Sequence, residues 1–225
     1  MLAHELRQPL FTISMANENL RVMLEGSEPD QNRMRQAVLR IAEQVDRAQA
    51  IINRTLSAPS EQIVQRESTD VIDAIRSSVG LVAELPEACD VEFISQLPEE
   101  RMLVGLSRIE TEQVFVNLLR NAVDSIADRY RGGWRGPGRV SVTLQASGGD
   151  LRCVVADNGA GIATATLKTV FEPFVTTKAS GGTGLGLHIC RQIVSKAGGS
   201  IELKSGRIDG ALAVLRLPRV AYGRA

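Results

Sequence analysis

Apolar residues recur at three- and four-residue intervals through the first quarter of the chain, a pattern typical of helices that bury one face. In the first of two such stretches they are Leu2, Leu6, Leu10, Ile13, Leu20 and Leu24. In the second they are Met34, Val38, Ile41, Val45, Ala48, Ile52 and Leu56. Between the stretches lie Gly, Ser, Glu, Pro and Asp at positions 26–30, residue types that break helices. The sequence therefore predicts an αα-hairpin domain over residues 1–57.

A hairpin of this size cannot bury both apolar stripes by itself. The second stripe alternates steps of four and three residues over about three heptads, which favours helix-on-helix packing. We therefore expect two copies to form a homodimer whose hairpins make a four-helix bundle. The alternative is that the stripes cover the remainder of the same chain.

The pattern changes after the hairpin, and residues 58–65 are predicted to be a linker into a second domain over residues 66–219. Helices are expected from Asp70, as N-cap, to about Ala83, over Ile109–Ala127 and over Leu185–Ala197. Strands are expected over Val91–Ile94, Val140–Leu144, Leu151–Val155, Ile201–Leu203 and Ala213–Leu217. Interleaved helices and strands with adjacent hairpins predict an α+β, or α/β sandwich, domain. The fold class is thus multi-domain, with an all-α hairpin followed by an α+β domain.

Composition narrows the possible functions. The 225 residues carry 26 Lys and Arg against 26 Asp and Glu, which does not favour a nucleic-acid binder. No apolar run approaches the length of a membrane span and no signal-peptide pattern opens the sequence, so we expect no membrane contact in this segment. Three scattered cysteines fit a reducing compartment. We expect this segment to be cytoplasmic, whether or not a full-length protein is tethered to a membrane.

Three polar clusters punctuate the second domain. Asn117 and Asn121 lie one turn apart on a predicted helix, and amide oxygens are ligands for a Mg²⁺ ion that keeps most of its waters. Asp157 follows a strand and is followed by glycines that permit close backbone approach to a ligand. A glycine-rich run, 181–187, opens a helix, where free N–H groups favour phosphate.

Each cluster alone has a plainer interpretation. Paired asparagines on a helix are more often surface or capping residues, and an Asp-Asn-Gly sequence is most often only a turn. The glycine-rich run is not a P-loop, because no Gly-Lys-Ser/Thr follows, and it lacks the βαβ context of a dinucleotide site. The stretch 163–180 has few regular signals and is interpreted as a mobile lid.

In this order and spacing, residues 66–217 resemble the ATP-binding domain shared by sensor histidine kinases, gyrase-type topoisomerases, ninety-kilodalton heat-shock chaperones and mismatch-repair ATPases, a fold of the Bergerat type. Asn117 and Asn121 match its N box, and 157–161 and 182–186 match its two glycine boxes. The sequence Phe-Glu-Pro-Phe at 171–174 matches the phenylalanine box of histidine kinases.

The resemblance implies ATP and Mg²⁺ as cofactors. Asp157, in a box with Gly159 and Gly161, would bind the adenine amino group, and Asn121 with Asn117 would ligate Mg²⁺. Phosphates would be cradled by the second glycine box and reached by a lysine; these residues are Gly182, Thr183, Gly184, Leu185, Gly186 and Lys178.

The chain has two histidines, His4 and His188. The sequence from His4 to Leu10, His-Glu-Leu-Arg-Gln-Pro-Leu, resembles the H box of the dimerisation and phosphotransfer domain of histidine kinases, and looks most like the oxygen- and dicarboxylate-sensing branches. A neutral imidazole nitrogen is a competent nucleophile toward a γ-phosphoryl group. Glu5 can hold the other ring N–H and accept its proton, and Gln8 lies one turn beyond on the same face.

Other positions refine the picture. Pro9 is expected to bend the helix just past His4, whereas His188 is expected only to pack or hydrogen-bond near a helix start.

Three positions depart from the family pattern. Gln113 stands where hydrolytic relatives carry a water-activating Glu, which implies slow ATP hydrolysis because an amide is a poor base. Asp124 stands where many histidine kinases have a Lys, and Gln8 replaces a Thr or Asn used in dephosphorylation.

The sequence thus predicts the catalytic core of a homodimeric sensor histidine kinase. ATP phosphorylates His4, and the phosphoryl group passes to an Asp of a response-regulator receiver domain. Two alternatives stay open at this point: a nucleotide-binding dimeric scaffold without phosphotransfer, and an anti-sigma-type Ser/Thr kinase or plain ATPase.

Overall fold

The hairpin helices and the mixed domain are both present in a computed structural model, which describes residues 2–25, 31–56, 68–176, 184–206 and 210–220. The chain divides into two compact units. One comprises Met1–Ile63 with Ala179–Leu185, and the other comprises Val64–Lys178 with Gly186–Ala225. The linker predicted at residues 58–65 lies outside the described residues.

The two predicted helices of the first unit are confirmed as α1 (Leu2–Glu25) and α2 (Gln31–Leu56). Helix α1 continues through Pro9, whose ring is buried; a bend there stays a prediction. The turn predicted at 26–30 lies outside the described residues. Ala16 and Ala37 are buried. Four residues of the predicted stripes are instead exposed, namely Leu10, Leu24, Val38 and Val45. Other large apolar residues of the same helices are exposed as well, namely Phe11, Met15, Val22 and Leu39.

A five-stranded sheet forms one layer of the second unit. Its strands are β2 (Val91–Gln96), β4 (Gly138–Ser147), β5 (Asp150–Asp157), β6 (Ser200–Ser205) and β7 (Ala211–Pro218). They lie in the order β2-β4-β5-β7-β6, with β2 and β4 parallel and the other pairs antiparallel. Each predicted strand is therefore confirmed, and each is longer than predicted because the backbone ladder continues beyond the apolar centre from which the strand was predicted.

A separate two-stranded ladder was not predicted as such. It pairs β1 (Thr69–Asp70) with β3 (Leu103–Val104). The hydrophobic pattern predicted no strand at the second position because two residues are too short for any periodicity to show.

The helices begin and end largely where capping chemistry predicts. They are α3 (Val71–Ala83), α4 (Arg108–Arg131) and α5 (Gly186–Lys196). Buried Asp70 caps α3: its Oδ1 accepts from the Ile72 N–H at 3.1 Å and the Met102 N–H at 3.2 Å. Helix α4 opens with a capping box made by Ser107 and Glu110 and runs four residues beyond its predicted end.

The core lies between one face of the sheet and the three helices. Alternate residues of β4 and β5 are buried, namely Val140, Val142, Leu144, Leu151, Cys153 and Val155. Helix α4 is the central element of the helical layer, because it contacts α3, α5, β4 and β5. This two-layer packing confirms the predicted α/β sandwich and brings the carboxyl end of β5 against α4.

Among the described helices, none combines the length and the apolar character that crossing a bilayer requires.

Ile126 and Ile109 provide a matched pair for testing the core. Ile126 is fully buried on α4, whereas Ile109 in the first turn of the same helix is 78% exposed. We expect Ile126→Ala to lower the free energy of unfolding by about 3 kcal/mol, because it removes buried methyl groups and leaves a cavity. Ile109→Ala should change it by less than about 0.5 kcal/mol. Urea denaturation followed by circular dichroism measures both; equal losses would contradict this account of the core.

Candidate functional site

One face of α4 carries four polar residues at intervals of four: Asn117, Asn121, Ser125 and Arg129. All four are half-buried. Residues spaced by four lie one above another on a helix. The first two belong to the predicted N box. Ser125 and Arg129 were missed, although the same spacing, continued along the helix, points to them.

Asp157 ends β5 and turns toward this face of α4. Its Oδ1 accepts hydrogen bonds from the Gly159 N–H at 2.8 Å and from the Ser125 hydroxyl at 3.2 Å. Burial raises the pKa of the Asp157 carboxyl, while those two donors and the Ala211 N–H oppose the rise. The result is a carboxylate held in one place, mostly out of water, at the end of a central strand.

The first glycine box packs directly on α4. The Ala160 N–H donates to the Ser125 carbonyl at 3.0 Å. A Cβ on Gly159 would collide with the Ser125 side chain and with the Ile126 nitrogen, so only glycine allows this approach. Gly161 has φ +77, a left-handed conformation that glycine adopts without strain.

Asn158, inside the same box, ties it to β4. Its Oδ1 accepts from the Arg139 N–H at 2.7 Å, and its Nδ2 donates to the Pro137 carbonyl at 2.9 Å. The Asn158 N–H donates to the Arg139 carbonyl at 3.2 Å. The side chain therefore continues the sheet's hydrogen bonding past the last paired residue.

Asn117, on α4, lies next to the beginning of α5. A Cβ built on Gly186, the first residue of α5, would lie 3.4 Å from Asn117 Oδ1. The buried Cys190 thiol on α5 donates to the Val114 carbonyl of α4 at 3.7 Å, and burial raises its pKa to about 12. Cys190 is therefore an unreactive thiol that packs between the two helices. The site thus extends from the start of α5, along α4, to the end of β5.

The second glycine box is described only in part. Gly184 has φ +68, and the predicted helix begins at Gly186, one residue later than expected. Lys178, Gly182 and Thr183 lie outside the described residues.

The predicted lid begins with ordered turns. Residues Thr166–Lys168 form a short 3-10 helix, and His188 Nδ1 lies 3.1 Å from the Phe171 carbonyl. The Arg191 guanidinium lies 5.6 Å from the Phe171 ring centroid. His188 therefore has the local hydrogen-bonding role expected of it. The mobility of the lid stays a prediction, and residues 177–180 lie outside the described part.

The predicted phospho-acceptor His4 lies in the first turn of α1, and its side chain is outside the described residues. Glu5 follows it and is half-buried. Gln8 is exposed one turn further along, where its carbonyl accepts from the Thr12 hydroxyl at 3.1 Å.

Two family models match this chain. Residues 107–221 match the histidine kinase-, DNA gyrase B-, and HSP90-like ATPase family, and residues 1–60 match the His Kinase A (phospho-acceptor) domain. The C4-dicarboxylate transport sensor protein DctS of Rhodobacter capsulatus is 31% identical over 217 residues, which are 96% of this chain and 32% of that protein. The chain thus spans about a third of the length of this relative.

Solved structures show the same architecture. The mycobacterial sensor histidine kinase MprB matches with a TM-score of 0.58 and 28% identity, over 70% of this chain and 99% of that one. Histidine kinase ThkA in complex with response regulator protein TrrA matches with a TM-score of 0.62 and 22% identity, over 99% of this chain and 61% of that one. The chain therefore belongs to the histidine kinase-, DNA gyrase B-, and HSP90-like ATPase family, and it carries the phospho-acceptor and ATP-binding domains of a sensor histidine kinase.

Proposed function

We propose that this chain uses ATP to phosphorylate its own His4 and then passes the phosphoryl group to an aspartate of a response-regulator receiver domain. The observation that carries the proposal is the presence on one chain of a helix bearing His4 and Glu5 and of a site built around a half-buried carboxylate. The first supplies a nucleophile with an adjacent base, and the second supplies a place for the nucleotide.

Asp157 is the group we assign to the adenine amino group. A carboxylate accepts hydrogen bonds, and its bonds from Ser125 and Gly159 fix the direction in which it does so. Backbone N–H groups of residues 182–186, Gly182, Thr183, Gly184, Leu185 and Gly186, are assigned to the phosphates, because N–H groups at a helix start favour anions. Lys178 adds a positive charge.

Asn117 and Asn121 are the residues assigned to Mg²⁺. Their amide oxygens suit a hard cation. Within the described ranges no group of three or more His, Cys, Asp or Glu side chains is arranged to hold a metal. This donor set fits an ion that arrives with the nucleotide and is held largely by phosphate oxygens and water. When bound, Mg²⁺ neutralises charge that develops on the phosphates.

The transfer step is a displacement at the γ-phosphorus. A ring nitrogen of His4 forms a P–N bond while the bond from the γ-phosphorus to the β–γ bridging oxygen breaks, and ADP leaves with that electron pair. Glu5 takes the ring proton. Gln8 is exposed one turn further along α1, on the same helix face as His4. We assign it to contact the phosphoryl group that arrives at His4. Gln113 lacks the basicity to activate water, which favours transfer over hydrolysis.

For the second transfer we propose a receiver domain as the partner, as in the solved complex of a histidine kinase with a response regulator. The phosphoryl group moves from the imidazole to a carboxylate of that domain. Free cysteines, with Cys153 and Cys190 buried, support a reducing, cytoplasmic setting for this segment.

The hairpin supports a homodimer, with the first domain at 1–57, a linker at 58–65 and the catalytic domain at 66–219. Large apolar side chains on both helices stay exposed, among them Leu10, Met15, Val38 and Val45. Contiguous exposed apolar surface marks an association site, and a second hairpin supplies a matching stripe.

Labelling with γ-phosphate-labelled ATP and Mg²⁺ tests the phosphotransfer. We expect acid-labile label on the wild type and none on His4→Ala, because phosphohistidine forms only there. His188→Asn, which removes the other histidine, should retain acid-labile label. Label that persists in His4→Ala, or tight ATP binding without any label, would overturn the proposal; the second result would indicate a nucleotide-binding scaffold.

Asp157 and Asp150 lie at opposite ends of β5, which makes them a matched pair for nucleotide binding. Asp157→Asn should weaken ATP binding about tenfold, because a charged acceptor becomes a neutral amide and the charge-assisted part of the bond is lost. Asp150→Asn, at an exposed position, should leave the affinity within twofold. Isothermal titration calorimetry compares them, and equal effects would remove Asp157 from the nucleotide site.

The exposed stripe of α2 provides a test of the dimer. Sedimentation should give twice the 24.3 kDa chain mass for the wild type. Val38→Glu with Val45→Glu should shift the equilibrium toward monomer, because two charges would be buried in the bundle. The control replaces two exposed polar residues of the same helix, Gln36→Glu with Arg47→Glu, and should remain dimeric. A monomeric wild type would contradict the proposal.

A further inference from the structure

The last turn of α4 and the glycine-rich turn after it form an aromatic cluster that the assigned functions do not use. The Arg129 guanidinium lies 4.2 Å from the centroid of the Trp134 ring, and the Tyr130 ring stacks on Trp134 with centroids 5.4 Å apart. The backbone N–H of Trp134 donates to the Arg129 carbonyl at 3.2 Å. A Cβ on Gly136 would lie 2.5 Å from the Trp134 ring, so the turn leaves room for the indole only because glycine is there.

This cluster holds Arg129 against the first glycine box. Arg129 Nη1 donates to the Asn158 carbonyl oxygen at 2.5 Å. An arginine stacked on an indole face has less freedom to turn away from its acceptor. The cation is thereby directed at one backbone carbonyl.

That carbonyl belongs to the peptide unit that joins Asn158 to Gly159. The N–H at the other end of the same unit donates to Asp157 Oδ1 at 2.8 Å. One planar group is therefore held at both ends, by a guanidinium on its oxygen and by a carboxylate on its N–H. A cation on the carbonyl polarises the amide and strengthens the N–H as a donor.

We propose that Arg129, stacked on Trp134, is a positioning residue for nucleotide recognition: it fixes and polarises the Asn158–Gly159 peptide unit, and this unit in turn fixes the Asp157 carboxylate that reads the adenine amino group. The inference rests on the proposed function, since it names the residues behind the group assigned to adenine. Arg129 itself needs no contact with the nucleotide.

A purely structural role for Arg129 predicts something different. Loss of a structural contact would lower stability and weaken all nucleotides alike. Loss of a residue that acts through Asp157 should weaken most the ligands that have a 6-amino group. The discriminating quantity is the ratio of the dissociation constant of purine riboside triphosphate, which lacks that group, to that of ATP.

Calorimetry with Mg²⁺ on the full chain measures this ratio for the wild type, Arg129→Met, Arg129→Lys and Trp134→Ala. The His4→Ala background prevents turnover. We expect Arg129→Met to weaken ATP about tenfold, as for loss of a charge-assisted hydrogen bond, and the analogue by less than about threefold. The ratio then falls at least threefold. Arg129→Lys keeps a cation, so it should restore most of the wild-type ratio. Trp134→Ala should lower the ratio, as Arg129→Met does.

Arg131→Met is the matched control. Arg131 is an exposed arginine two residues further along α4 that pairs with Asp128 within the helix. Its substitution should leave both affinities within twofold of the wild type. Thermal denaturation accompanies each measurement. If Arg129→Met fails to fold, Trp134→Ala keeps the test decisive, because it should lower the ratio while leaving Arg129 in place.

The outcomes separate this inference from the function on which it rests. A wild-type ratio near one would show that Asp157 does not read the amino group, and would overturn its proposed role. A wild-type ratio well above one that Arg129→Met leaves unchanged would overturn the role of Arg129 alone. A ratio that falls in Arg129→Met and recovers in Arg129→Lys supports it.

Discussion

The second domain depends on keeping one half-buried carboxylate, Asp157, in a single orientation. A buried charge is costly unless hydrogen bonds replace the water it has lost. The donors come from three places: Ser125 on α4, Gly159 in the box itself and Ala211 at the start of β7. These three meet only when α4 packs against β5 and β5 pairs with β7. The orientation of this carboxylate and the packing of the domain are therefore one constraint.

Helix α4 carries out most of this organisation. Its apolar face fills the core between the helices and the sheet, while its polar face carries Asn117, Asn121, Ser125 and Arg129. The residues at the two ends of this row touch different parts of the chain. Asn117 lies at the start of α5, and Arg129 holds the glycine box after β5. A single rigid helix can thus keep the groups that we propose for the phosphate end and the adenine end of a nucleotide at a constant separation.

The hairpin differs from the second domain in how much of its apolar surface it buries. Its two helices bury small residues such as Ala16 and Ala37 against each other and leave several large apolar side chains exposed. A two-helix unit has too little interior to bury them. The apolar side chains that the hairpin cannot bury by itself suit it to association with a second copy. His4 lies in the first turn of α1, away from the middle of the apolar stripe.

The sequence by itself determined the elements of this protein and the residue types of its site. Periodicity identified the five α-helices of the described residues and the five strands of the main sheet, and the Asp70 cap was found because capping acts between residues two apart. Tertiary structure alone decided which groups meet. Ser125 reaches Asp157 across 32 positions of chain, and Arg129 reaches the Asn158 carbonyl across 29. The extra turn of α4 that carries Arg129 likewise packs against Trp134, beyond the end of the helical pattern. Local backbone preferences act within a few residues, so they can be predicted from the sequence. Contacts across a helix–sheet interface depend on strand register and helix placement, which are set only when the whole domain packs.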